Sequence, residues 1–314
     1  MKSIVLLFLI LSTISYSQDQ SNLIPMYGDS LKHQHLKFAD QQFIDQVMSE
    51  GMTRENTCKK YAQFGWNYLF YKDYETAIKR FNQAWLIFPS HYESYYGFWA
   101  CEMLNGRNAE AEKYFQMAER RNKDKSITIQ KMNVLTGNFY RRNDKGMTMI
   151  LCHRMLSIDS SFLIPYSVLS DYYKSDSNLN EALRYLELGL TKKMDTELLY
   201  KRACIYQNQK KFKESIQDFS KCIELEPLNL HFYANRGLIY FNLGEYTAAS
   251  KDFEHLTTNA PKNEKGYYFK MLAKCYIQLN QLDKVCDLLK KAKKYKDNLE
   301  GNEEVLELKE KYCN

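Results

Sequence analysis

From residue 58 onward, apolar residues recur at the three- and four-residue spacing of amphipathic helices, and the helices come in pairs. In residues 61–89, Tyr61, Phe64, Gly65 and Tyr68 share one face of a first helix, while Tyr74, Ala77, Phe81 and Ala84 share one face of a second. Pro89 closes the pair. Small residues at Gly65 and Ala77 let antiparallel helices cross at close range, and the bulk of Tyr68 and Phe81 fills the gap to the next pair.

The pair recurs along the chain. Ala77 and Phe81 are answered by Ala111 and Phe115, and Phe219 and Pro227 by Phe253 and Pro261, at a period of about 34 residues. Seven repeats are expected, near 58–91, 92–128, 129–162, 163–195, 196–229, 230–263 and 266–299. The second places Trp99 in a small-residue slot and Asn108 in a Tyr slot, so its helices should splay. The third holds Thr148 and Cys152 where Ala and Phe are expected. Before the array, residues 31–51 carry the stripe Leu36, Ala39, Phe43 and Val47, read as an N-terminal capping helix. After it, Val305, Leu308 and Tyr312 mark a C-terminal capping helix within 300–314.

The order of slots in residues 61–89 resembles the tetratricopeptide repeat (TPR) family, and RFNQAW at 80–85 with YYGF at 95–98 resembles the opening repeats of exported bacterial TPR proteins. The resemblance implies an all-α, right-handed superhelical solenoid of about seven helix-turn-helix repeats with capping helices at both ends. It also implies a concave groove, lined by the first helix of each repeat, that holds a peptide or protein segment. Carried onto this chain, the groove positions are Lys59, Trp66, Phe70, Tyr96, Tyr140, Arg141, Lys174, Tyr200, Gln207, Asn208, His231, Phe241, Asn242, Lys270 and Lys274. Chaperone-binding members hold a C-terminal carboxylate with Lys and Asn in the first repeat. Ala62 and Trp66 stand there, so that mode is not expected.

Composition agrees with helices throughout: 12 Gly and 5 Pro leave few breakers, while 25 Tyr and 17 Phe supply bulky faces. Residues 1–17 place Lys2 before a short apolar run and small residues at Ser15 and Ser17. This is a signal peptide with a cut expected after Ser17, leaving a linker at 18–30 and no membrane span. The expected location is therefore the periplasm, or outside the cell. The 8 cysteines are scattered through interior slots and are expected to be mostly free, with Cys275 and Cys286 the one pair considered for a bridge.

No phosphate-binding loop, HExxH, nucleophile elbow or paired CxxC is present, and His33 and His35 point apart on their helix, so neither catalysis nor a metal or cofactor is expected. The net charge of +6 is modest, but Lys290, Lys291, Lys293, Lys294 and Lys296 crowd the last repeat. Export disfavours nucleic acid as their partner; an anionic envelope component is the alternative, with Glu303, Glu304, Glu307 and Glu310 of the cap expected to offset their repulsion. The functional expectation is a non-catalytic envelope scaffold or adaptor. A direct binder of envelope glycan or anionic lipid, or an accessory or sensor subunit, is the runner-up.

Overall fold

The computed structural model describes residues 20–27, 37–49, 51–295 and 300–313. The expected signal peptide and Lys296 lie outside the described residues, as do His33 and His35. The fold is all-α, and the chain divides after Asp159 into two compact units.

Among the described residues, the first unit contains two 3-10 turns, Gln20–Leu23 and Pro25–Tyr27, then a lone helix and three helical hairpins. These are α1 (Lys37–Met48), α2 (Arg54–Phe70), α3 (Tyr74–Ile87), α4 (Tyr92–Leu104), α5 (Asn108–Arg121), α6 (Lys125–Arg141) and α7 (Lys145–Ile158). The second unit contains four hairpins: α8 (Ile164–Ser175), α9 (Leu179–Lys192), α10 (Thr196–Asn208), α11 (Phe212–Leu225), α12 (Leu230–Asn242), α13 (Tyr246–Asn259), α14 (Lys265–Gln278) and α15 (Val285–Lys294). A last helix, α16 (Glu300–Tyr312), follows.

Helix starts are set by short polar side chains. Thr53, Asp73, Asp124, Asp144, Asn178, Asp195 and Asn229 each accept a hydrogen bond from a backbone N–H of the first turn. The turn inside each hairpin is set by one residue in the left-handed region: Lys72, Gly106, Asn143, Ser177, Lys210, Gly244 and Asn280 in chain order. The next residue then donates back across the helix end, as Asp73 N–H does to Tyr68 C=O (3.0 Å) and Gln281 N–H to Tyr276 C=O (2.9 Å). Only two of these residues are glycine, so the turn carries a backbone strain that the packed hairpin offsets. α6 starts ahead of the expected repeat boundary at 129, because Asp124 caps it at Lys125.

Phe81 is the wedge of the first unit. It is fully buried, and a Cβ built on Gly65 would lie 2.6 Å from its ring while one on Gly97 would lie 2.1 Å away. Glycines from two hairpins thus make room for one ring. Trp99, expected to force its helices apart, is fully buried in the core 5.3 Å from Phe115, and Ala111 and Ala118 of the same hairpin are buried as well. Thr148 is tolerated in an interior slot because its hydroxyl donates to the Asp144 carbonyl at 2.7 Å.

Gln20–Tyr27 is not an open linker. Its two turns pack on α3, where the Asn82 side-chain amide donates to the carbonyls of Asn22 and Ile24, each at 3.0 Å, and Pro25 is buried. α1 rests on α2 through Phe43 and Tyr61 (5.5 Å, edge to face), with Val47 buried. Residues 31–36 and 50 of the expected cap lie outside the described residues.

In the second unit, α14, α15 and α16 share one core of Leu272, Tyr276, Val285, Leu289 and Val305. Two ion pairs spaced alike are built into the hairpins: Arg202 grips Asp218 with two bonds of 2.8 Å, and Arg236 grips Asp252 at 3.0 and 2.7 Å. Both carboxylates are buried, and bidentate pairing offsets their desolvation.

The cysteine expectation needs correction. Cys286 is bonded to Cys313, with Cα atoms 5.5 Å apart, whereas Cys275 is a free, fully buried thiol. Cys275 faces the core of its hairpin, while Cys286 lies against the end of α16, where its sulfur also approaches the Tyr312 carbonyl. The other thiols are free, and burial pushes those of Cys58, Cys152, Cys222 and Cys275 up to about 12.

Candidate functional site

The positions singled out from sequence fall on the first helices of the hairpins, and the two units treat them differently. In the first unit the middle one of these helices, α4, is buried almost all round: every residue from Ser94 to Glu102 is inaccessible. A helix that is apolar on all sides belongs inside a fold. Side chains of α2 and α6 meet over it. Lys131 sits 5.1 Å from the Trp66 ring and 2.8 Å from Glu93, Trp66 Nε1 donates to Glu93 at 3.4 Å, and the Arg141 guanidinium lies 4.5 Å from the Phe70 ring.

Two expected groove residues are therefore core residues. Tyr96 is fully buried; its hydroxyl hydrogen-bonds Glu119, shares a 2.7 Å bond with Thr128 and accepts from Asn122 at 2.9 Å. Burial, reinforced by Glu119, pushes its pKa far up, so it remains a neutral phenol. Trp66 is 5% exposed under Lys131. Lys59, Phe70, Tyr140 and Arg141 stay at the surface, with Lys59 paired to Glu55 at 2.5 Å. Ala62 is buried and Trp66 is engaged, so the first repeat offers no cation to a terminal carboxylate at these two slots.

The second unit keeps its candidate residues more open. Lys174, Asn208, His231 and Asn242 are exposed, and Gln207 and Phe241 half-buried. Lys270 and Lys274 are not open: Glu304 of α16 lies 2.7 Å from each ammonium, and Lys274 also covers the Phe241 ring at 5.6 Å. The Lys270 and Lys274 hydrogen bonds hold the Glu304 carboxyl below its ordinary range. Glu304 is thus paired with these two lysines, while on α15 Lys290, Lys293 and Lys294 are exposed and Lys291 pairs with Asp287 at 2.7 Å.

Tyr200 and His231 are brought together. They line a cleft of about 470 Å³ with Thr196, Glu197, Glu226, Asn229 and Phe232, built from the starts of α10 and α12 and the end of α11. Tyr200 is half-buried between Phe219 (6.0 Å) and Phe232 (5.9 Å), and burial raises its pKa. Glu226 accepts from Thr196 and, at 3.3 Å, from the Asn229 amide, whose oxygen in turn caps α12 at His231. Glu197 accepts from Ser167 and lies 3.3 Å from Lys201, which also pairs with Asp171 at 2.5 Å. The lining holds two carboxylates and two aromatic rings, with no lysine or arginine. Sequence reading found Tyr200 and His231 but missed Glu197, Glu226 and Phe232. Glu226 precedes the repeat-ending Pro227 and carried no signal as a groove residue.

A second cleft of about 580 Å³, around Arg236, Tyr240, Tyr246 and Lys251, contains none of the expected residues, and its arginine is committed to Asp252 and Ser220. Among the described residues, no group of three or more His, Cys, Asp or Glu is placed to hold a metal ion, and no helix is long and apolar enough to cross a membrane.

Comparison with known proteins agrees with this architecture. Tetratricopeptide repeat models match residues 196–229 and 230–263, the two repeats that build the cleft. The Hsp70-Hsp90 organizing protein 2 of Arabidopsis thaliana is 24% identical over 115 residues, covering 37% of this chain and 20% of that protein. General transcription factor 3C polypeptide 3 of Homo sapiens is 20% identical over 170 residues, covering 53% and 19%. The chain thus spans about a fifth of the length of the curated relatives it matches. Among solved structures, the C-terminal part of a TPR repeat-containing protein from Cytophaga hutchinsonii superposes with a TM-score of 0.57 at 17% identity, covering 78% of this chain and 98% of that one. That likeness is one of fold.

Proposed function

We propose that this protein is a non-catalytic scaffold that holds an extended peptide or protein segment, and that the cleft at Tyr200 and His231 is its contact surface. The cleft is the observation that carries the reading. The half-buried Tyr200 ring, backed by the buried Phe232, offers apolar area at low entropic cost, and the carboxylates that line the cleft with it select a segment with a basic side chain. Glu197 is partly neutralised by Lys201, which leaves Glu226 as the carboxylate that meets the cation. The names of the curated relatives, which include an Hsp70-Hsp90 organizing protein, support a scaffold role. Export to the bacterial envelope is part of the proposal. It is supported by the leader-like residues 1–17 and by the Cys286–Cys313 bond, since disulfides persist in oxidising compartments.

Peptides selected from a random library on the full chain should be enriched in Lys or Arg beside an apolar residue. Tyr200→Ala should weaken them about tenfold or more, and Glu226→Gln should lower both affinity and its salt dependence. Fluorescence anisotropy across salt concentrations reads both effects. Equal binding by Tyr200→Ala, or selection of acidic peptides, contradicts the assignment. A second reading, binding of an anionic envelope lipid, rests on exposed Lys290, Lys293 and Lys294; vesicles carrying anionic lipid would then capture the protein at low salt, and neutral vesicles would not.

A further inference from the structure

One step round α3 from its core face runs the stripe Ile78, Asn82 and Trp85. Residues equivalent to Asn82 in the other hairpins are Gln116, His153, Glu187, Ser220, Glu254 and Lys290. All are polar, and all are exposed except Ser220, which is half-buried. This slot faces solvent by design of the repeat. In the first hairpin alone it is fully buried, and what covers it is the segment 20–27.

We propose that this stripe of α3 is a peptide-docking surface, occupied in cis by the chain's own residues 20–27. Recognition is through the backbone. Both protons of the Asn82 amide are used on carbonyls two residues apart, Asn22 and Ile24, each at 3.0 Å. The Ile24 side chain is 44% exposed and is not read, whereas the following Pro25 is buried. Met26 then adopts a left-handed conformation (φ 51°) that turns the chain. The surface therefore selects a short segment with two accessible carbonyls followed by proline, a residue pre-set for an extended approach.

The present occupant uses the surface incompletely. Asn82 Oδ1 is buried without a hydrogen-bond partner, so the amide has acceptor capacity that residues 20–27 do not meet. A segment that also offered an N–H there would bind more tightly, which makes the resident segment displaceable.

The test uses the full chain. Asn82→Asp keeps the side chain's size and removes both donors, so amides of residues 20–27 should exchange with deuterium about tenfold faster or more, while α4 to α7 are unchanged. An isotopically labelled peptide with the sequence of residues 18–29, added in excess to the unaltered protein, should accelerate exchange in the chain's own segment; a scrambled peptide should not. Unchanged exchange in Asn82→Asp overturns the role of the amide, and failure of the matched peptide to displace the segment overturns the docking surface. Concentration-dependent dimers that dissociate on adding the peptide would overturn the cis assignment in favour of a second copy's segment.

Discussion

Phe81→Ala is expected to destabilise the first unit by about 3–5 kcal/mol, among the larger effects a single truncation can have. The ring is fully buried, packed edge to face with Trp66 at 5.4 Å, and the backbones at Gly65 and Gly97 approach it so closely that a Cβ on either would overlap it. The two glycines have no side chain that could move into the space left behind, which limits how far the cavity can collapse. The opposite change should also be harmful: Gly97→Ala places a methyl group 2.1 Å from an atom of this buried ring, so the ring or the helix must shift. Urea denaturation followed by hydrogen exchange in α2 to α5 measures both. A loss below about 1 kcal/mol for Phe81→Ala would mean that the two glycines do not hold the ring as described.

Breaking the Cys286–Cys313 bond should cost the last helix about 3–4 kcal/mol, the entropy of a loop closed over a sequence separation of 27 residues. Cys313→Ser should raise hydrogen exchange in α16 and loosen Glu304 from Lys270 and Lys274. Because the folded Glu304 carboxyl titrates below its ordinary value, its contribution is complete above the ordinary carboxylate pKa. It is lost as pH falls through the lowered value, so acid and the cysteine substitution should loosen the same helix. Alkylation of the unfolded protein without reductant should spare Cys286 and Cys313 and modify Cys58, Cys101, Cys152, Cys204, Cys222 and Cys275. Modification of all eight contradicts the bond.

The hairpin repeat was legible because its signal is redundant. Ala77, Phe81, Ala111, Phe115, Phe219 and Phe253 each report the same close crossing or the same filled gap, and all six are buried. The turns were less legible, since Lys72, Asn143, Ser177 and Lys210 adopt the left-handed region that glycine would have advertised. The site was legible only where neighbouring repeats leave a residue uncovered. Tyr96 and Trp66 occupy the same stripe as Tyr200, but α4 is buried almost all round and lies beneath the meeting of Lys131 with Trp66 and of Arg141 with Phe70. Whether a stripe is open depends on residues two hairpins apart, which a single-repeat pattern does not encode. The same holds for Asn82, whose covering segment lies 60 residues away.

The central claim, that partner contact is made at the cleft of the second unit, is tested most directly by site-specific photocrosslinking in the exporting cell. A photoreactive residue at His231 should yield a discrete adduct with a partner chain, lost when Tyr200→Ala is added. The same residue at Tyr140 of the first unit should yield none. Adducts from position 140 with none from 231 would contradict the account.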